Sequence, residues 1–96
     1  MDASDLYRLC TTDQSAPEYY EAEMYCRGYV VGAVDTTSIY SPTIFKIRPY
    51  CVPVGTPTEQ VTRVVAAYLS AHPEERRWSA ATEVFFALKN AFPCAK

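Results

Sequence analysis

The stretch that decides the fold runs from residue 56 to residue 69 and reads Thr56-Pro57-Thr58-Glu59-Gln60-Val61-Thr62-Arg63-Val64-Val65-Ala66-Ala67-Tyr68-Leu69. It opens as a capping box, with Thr56 as the N-cap, Pro57 at the first helical position and Glu59 at the third. Apolar side chains then recur with the period of an amphipathic helix, at Val61, Val64, Val65, Tyr68 and Leu69. We expect this helix to end at His72, because the residue before a proline disfavours helical backbone.

Three further segments carry helix signals. Residues 4–10 predict a short helix capped by Ser4, with Leu6, Leu9 and Cys10 on one face. A second capping box, Ser15-Ala16-Pro17-Glu18, predicts a helix that runs to about Thr36. Its expected inner residues are Ala22, Cys26, Tyr29 and Ala33, flanked by Tyr25 and Val30. The last helix is predicted from Ser79 to Phe92, with Ala81, Val84, Phe85, Leu88 and Phe92 turned inward.

A long irregular connection is expected before the third of these helices. Pro42, Pro49, Pro53 and Pro57 lie in or next to residues 37–56, so no long helix can cross that stretch. Its apolar side chains are expected mostly to cover the core, with a partner-facing patch as the alternative. With 96 residues and no internal repeat, the chain predicts a single all-α domain over residues 1–96, a small four-helix bundle.

The four cysteines indicate two disulfides. Cys10, Cys26, Cys51 and Cys94 are widely spaced and even in number, whereas a structural zinc site normally has two ligands only two to four residues apart. Three pairings are open. If the last two helices are antiparallel, Cys51 and Cys94 lie at the same end, which favours Cys51–Cys94 and leaves Cys10–Cys26.

The cysteines also predict an oxidising compartment. Residues 1–5 carry neither the basic nor the apolar stretch of a signal peptide, so we expect the mature form of a secreted or periplasmic protein after signal-peptide removal. No run of 18 apolar residues occurs, and no membrane insertion is expected.

Charge and chemistry exclude several function classes. The net charge of −2 and a pI near 5.3 disfavour nucleic-acid partners. His72 is the sole histidine, and the paired carboxylates Glu21/Glu23 and Glu74/Glu75 face apart or into water. Because no nucleophile–base set, glycine-rich loop or metal-ligand spacing is present, we expect no enzyme, no catalytic site, no metal and no cofactor. The sequence instead indicates a protein that works through its surface.

Gly28 and Gly32 lie four residues apart, on one face of the second helix. Each costs about 0.8–1 kcal/mol relative to alanine inside a helix, so a compensating contact is expected. Either a neighbouring helix packs closely over this face, or the face is the seam of a homodimer.

Four segments in order resemble a known family. They are Cys26-Arg27-Gly28-Tyr29-Val30-Val31-Gly32-Ala33-Val34-Asp35, then Cys51-Val52-Pro53 with Thr58-Glu59-Gln60, then Tyr68-Leu69-Ser70-Ala71-His72-Pro73-Glu74, and finally Ala87-Leu88-Lys89-Asn90-Ala91-Phe92-Pro93-Cys94. This set, spanning about Cys10 to Cys94, resembles the Rap/Tai family of small periplasmic immunity proteins of bacterial type VI secretion.

The resemblance implies a helical, non-enzymatic inhibitor that binds a peptidoglycan-cleaving Cys–His amidase effector in the periplasm and occludes its active site, commonly as a homodimer. The motif residues themselves look structural, so effector contacts are expected in the Tyr40–Tyr50 loop and the Glu74–Arg77 connector. The predicted effector-binding residues are Tyr40, Phe45, Lys46, Arg48, Tyr50, Glu74, Glu75, Arg76 and Arg77.

A small periplasmic acid-stress chaperone is the alternative function. Its support is the disulfides and the acidic first 40 residues, which hold seven acids and two bases. Such a protein is expected to unfold partly below about pH 3 and bind unfolded clients.

Overall fold

The computed structural model describes residues 1–40 and 49–94, without the side chains of residues 38–40. Four helices follow one another along this part of the chain: α1 (Ala3–Cys10), α2 (Tyr19–Tyr40), α3 (Thr58–Ala71) and α4 (Ala80–Ala91). A single 3₁₀ turn, Pro73–Glu75, separates α3 from α4. The predicted all-α fold with four helices is therefore confirmed.

The helix starts differ in detail from the predicted caps. Asp2, not Ser4, caps α1, because its carboxylate accepts the Asp5 amide at 2.9 Å. Before α2 the Asp13 carboxylate accepts both the amide and the hydroxyl of Ser15, so the predicted Ser15–Glu18 box does not form. Thr56 likewise points away from α3 and donates to the carbonyl of Pro53. Ser79 does cap α4, accepting the Thr82 amide at 3.1 Å.

One apolar core lies between the four helices. Residues that are essentially inaccessible come from every helix: Ala3 and Leu6 of α1, Val30 of α2, Val65 and Leu69 of α3, and Ala80, Val84 and Leu88 of α4. The predicted inner face of α3 is confirmed, since Val61, Val65 and Leu69 are buried and Val64 and Tyr68 pack against the core. In α2, however, Tyr25 is exposed.

The inner face of α4 is rotated from the predicted one. Its buried residues are Ala80, Glu83, Val84, Ala87 and Leu88, whereas Ala81 and Phe85 are exposed. The apolar pattern of α4 was misleading for two reasons. A glutamate occupies a core position, and two adjacent phenylalanines cannot both point into the core from one helix.

Two disulfides cross-link the bundle. Cys10 at the end of α1 bonds to Cys26 within α2, and Cys51 before α3 bonds to Cys94 after α4. No described cysteine is free. The pairing that an antiparallel α3–α4 hairpin favours is thus the one observed, and each bridge is worth about 3–4 kcal/mol to a small domain.

The amino terminus fixes the connector between α3 and α4. The amides of Ala3 and Ser4 donate to the carbonyls of Trp78 and Arg76, and the Ala80 amide donates to the carbonyl of Met1. These three bonds hold the start of α4 against the start of α1. Among the described helices, none is long and apolar enough to cross a bilayer.

Candidate interaction surface

A shallow groove lies between α2 and α4. Its volume is about 550 Å³. Small residues of α2 form one wall, Ala81, Val84 and Phe85 of α4 form the other, and Tyr50 closes the base. We call this feature the α2–α4 groove. Its lining on α2 consists of Gly28, Tyr29, Gly32, Ala33, Thr36 and Thr37.

Gly28 and Gly32 face this groove rather than a packed helix. Both are exposed, and a Cβ atom built on either would meet no atom of the described residues within 4 Å. The expectation that a neighbouring helix of the same chain packs over them is therefore wrong for the described part of the chain. The cost of two glycines inside α2 is therefore not compensated by a contact among the described residues.

A row of exposed aromatic side chains continues from the groove around α4. The Phe85 and Phe86 rings lie 5.8 Å apart, edge to face, and Trp78 follows with its ring 6.2 Å from that of Phe86. The exposed fractions are 42% for Trp78 and 36% for each phenylalanine. We call these three residues the aromatic row. Neighbouring exposed aromatic rings are typical of protein–protein interfaces, where tryptophan in particular contributes binding energy.

Tyr50 was predicted to contact an effector, and the structure corrects this. Tyr50 is only 8% exposed and belongs to the core cluster. Its hydroxyl bonds to the side chain of Thr37, and burial raises its pKa above the usual range for tyrosine. The prediction was made by elimination, from the lack of a family motif in this loop, and that does not indicate whether a side chain is exposed. The other predicted contacts of this loop, Phe45, Lys46, Arg48 and the side chain of Tyr40, lie outside the described residues.

The Glu74–Arg77 connector is not simply a run of solvated charges, because some of its side chains contact the helices. Arg76 places its guanidinium 3.6 Å from the centre of the Tyr7 ring, and its Nε donates to the carbonyl of Leu69 at 3.0 Å. Glu75 is mostly buried, whereas Glu74 and Arg77 are exposed. Of the four predicted contacts, Glu74 and Arg77 are therefore the ones exposed to a partner.

His72, Glu74 and Glu75 converge at the end of α3. The Nδ1 atom of His72 lies 3.2 Å from Oε1 of Glu74 and 3.2 Å from Oε2 of Glu75. The Tyr68 ring stacks on the imidazole with centroids 4.0 Å apart, and its hydroxyl donates to Oε1 of Glu75 at 3.0 Å. Burial, the bond to Glu75 and the surrounding negative charges raise the pKa of Tyr68 to about 12.

Glu83 approaches this cluster from the core. It is 0% exposed, and neither carboxylate oxygen has a hydrogen-bond donor among the described residues. Burial and the nearby carboxyl of Glu75 raise the pKa of Glu83 to about 7. Near neutral pH, Glu83 is thus protonated for part of the time.

Sequence reasoning missed both the aromatic row and the ionic cluster. The adjacent phenylalanines of α4 could have revealed the row, because one of the two must leave the core face of a helix. The sequence signal for the ionic cluster was weaker. His72 and Glu75 are three residues apart in the sequence, but Glu83 joins them only through the packing of α4 on α3. Among the described residues, His72, Glu74 and Glu75 form a group whose ligand atoms lie close enough together to hold a metal ion.

Comparison with known proteins identifies the family of this chain. The model of the family described as Rap1a immunity proteins matches residues 2–94, nearly the whole chain. A search of curated proteins finds no match. The matched span includes all four helices, both disulfides, the α2–α4 groove and the aromatic row. The chain therefore belongs to the family of Rap1a immunity proteins.

Proposed function

We propose that this immunity protein binds a peptidoglycan-cleaving amidase effector of type VI secretion in the periplasm and inhibits it by covering its active-site cleft. The Rap1a immunity family model matches nearly the whole chain, and we expect an immunity protein to act by binding its effector rather than by catalysis. Two disulfides fit a protein that is exported to an oxidising compartment, and the peptidoglycan that an amidase attacks lies in that same compartment.

The aromatic row is the observation that carries the proposal. A stable inhibitor complex buries about 800 Å² per partner and depends on a few aromatic or arginine anchors. Trp78, Phe85 and Phe86 supply such anchors side by side, and the exposed Arg77 precedes Trp78 directly. The bonds from Ala3 and Ser4 fix the backbone of the connector, so the anchors are held in place before binding.

A second copy of the chain is the proposed partner of the glycine face. Gly28 and Gly32 remove side chains from the wall of the α2–α4 groove, which allows a close approach of another backbone. In this arrangement α2 forms the homodimer seam and the aromatic row faces the effector. The two surfaces meet at Phe85, which lines the groove and begins the row.

The test compares two matched variants. The probe is a type VI amidase effector from the same genome, purified with its catalytic cysteine replaced by alanine. The double variant Trp78→Ala/Phe86→Ala is expected to lose at least about 30-fold in affinity by calorimetry, since hot-spot residues are worth about 2 kcal/mol or more. Tyr20→Ala is the control, because Tyr20 is 76% exposed on α2 but lies outside the groove and the row.

The outcome distinguishes an error in the binding surface from an error in the target. If the double variant binds as tightly as the unchanged protein and circular dichroism shows both folded, the aromatic row is not the effector surface. If the unchanged protein binds none of the amidases in the genome, the amidase target itself is wrong.

A further inference from the structure

We propose that His72, Glu74 and Glu75 form a binding site for Zn²⁺, supported from the core by Glu83 and oriented by Tyr68. This inference goes beyond the immunity function and does not depend on it. It rests on the geometry of the cluster and on the unsatisfied carboxylate of Glu83.

The ligand atoms have the spacing that zinc requires. One nitrogen and one oxygen from each of two carboxylates all lie within 4.8 Å of one another. The two measured edges, from Nδ1 of His72 to Glu74 and to Glu75, are each 3.2 Å. At zinc–ligand distances of about 2.0–2.1 Å, neighbouring ligands of a tetrahedron are about 3.3–3.4 Å apart. Zinc could therefore be bound with little movement of the side chains, leaving a fourth position for water.

The buried Glu83 is a second observation that favours a cation at this cluster. A carboxylate that is 0% exposed and has no donor among the described residues is costly, and such groups normally pair with a cation or bind a metal. Its neighbour is the carboxyl of Glu75, which carries the same charge. A divalent cation on the outer side of Glu75 would offset the charge of both carboxylates.

Tyr68 orients two of the three ligands. Its ring stacks on the imidazole of His72, and its hydroxyl donates to Oε1 of Glu75, which leaves Oε2 directed toward His72. Groups that hold metal ligands in this way typically change affinity about 10–100-fold when removed. Tyr68 is therefore a positioning residue of the site rather than a ligand.

The experiment is a titration of the full chain with Zn²⁺ alone, followed by calorimetry and by nuclear magnetic resonance of the imidazole. His72 is the sole histidine, so its ring nitrogens give one unambiguous set of signals. We expect one zinc per chain and a large shift of the Nδ1 signal. The variants Glu75→Gln and Tyr68→Phe are each expected to lower the affinity by about tenfold or more.

Glu59→Gln is the matched control, because Glu59 is an exposed acid of α3 that pairs only with Arg63 across one helical turn. Its affinity for zinc is expected to equal that of the unchanged chain. If Glu75→Gln fails to fold, His72→Gln is used instead, because His72 lies at the end of α3, at the surface. The absence of saturable binding, or binding that survives His72→Gln unchanged, would overturn the proposal.

Discussion

Tyr50 packs the edge of its ring against Phe85, with centroids 6.4 Å apart, and so joins the core to the exposed aromatic row. Tyr50 is buried at the base of the α2–α4 groove, while Phe85 is exposed on its α4 wall. Cys51, the next residue, is held by the disulfide to Cys94 and by its amide, which donates to the carbonyl of Phe92. The segment before α3 is thereby fixed to the end of α4, and Tyr50 supports the surface that we propose binds partners.

The burial of Tyr50 gives a first prediction, on stability. Replacing a buried aromatic side chain with alanine removes its apolar contacts and leaves a cavity, which typically costs 3–5 kcal/mol. We expect Tyr50→Ala to lower the free energy of unfolding in urea by about 3 kcal/mol. Tyr20→Ala should change it by less than about 0.5 kcal/mol, because surface substitutions rarely do more. Equal effects of the two substitutions would contradict the placement of Tyr50 in the core.

The glycine face gives a second prediction, with opposite effects on stability and self-association. In Gly28→Ala and Gly32→Ala the added methyl group meets no described atom, and alanine favours a helix interior over glycine by about 0.8–1 kcal/mol. Each variant should therefore unfold at a higher urea concentration, measured at low protein concentration. If a second copy packs on this face, sedimentation equilibrium should show weaker self-association. A fall in stability would mean that the added methyl groups are not in open space.

The sequence predicted the framework of this fold because its signals are local. Periodicity located α3 and its inner face, His72-Pro73 marked its end, and widely spaced cysteines indicated two bridges. Cap identities were less predictable, because Asp2 and Ser4 are both good N-cap residues at the start of α1 and the structure uses Asp2. The face of α4 was predicted with an error of about one residue, because no local rule places a glutamate such as Glu83 in a core.

The candidate sites were less predictable because they are created by tertiary packing. Gly28 and Phe85 are 57 positions apart in the sequence, yet they line one groove. Glu83 reaches Glu75 only because α4 lies against the end of α3. The Tyr68–Glu74 segment was interpreted as a family motif at a helix end, with Glu74 as an effector contact. Its tyrosine, histidine and glutamate also belong to one ionic cluster.

Glu83 gives a third prediction, on the pH dependence of stability in buffer containing a metal chelator. The pKa of Glu83 is about 7 in the folded chain and near 4.5 when it is free in water. Between these two pH values Glu83 has lost its proton in the unfolded chain but keeps it in the folded chain. The free energy of unfolding therefore falls as the pH rises from about 5 to 7. The full loss from this group is roughly 3 kcal/mol and is complete above pH 8.

The variant Glu83→Gln isolates this effect, because glutamine has nearly the same shape and does not ionise. We expect the variant to be more stable than the unchanged chain at pH 8 and similar to it at pH 5, in urea unfolding with chelator at both values. Glu21→Gln, at an exposed position in the first turn of α2, serves as the control and should follow the unchanged chain. Parallel pH profiles for the unchanged chain and Glu83→Gln would contradict the raised pKa.

The most direct test of the central claim is inhibition of peptidoglycan hydrolysis. An active type VI amidase effector from the same genome is incubated with purified peptidoglycan and increasing amounts of the protein, and the released muropeptides are quantified. Our account predicts that release stops when the protein reaches an equimolar ratio to its cognate effector, and that Trp78→Ala/Phe86→Ala restores release. Undiminished hydrolysis by every such amidase at a large excess of protein would contradict it.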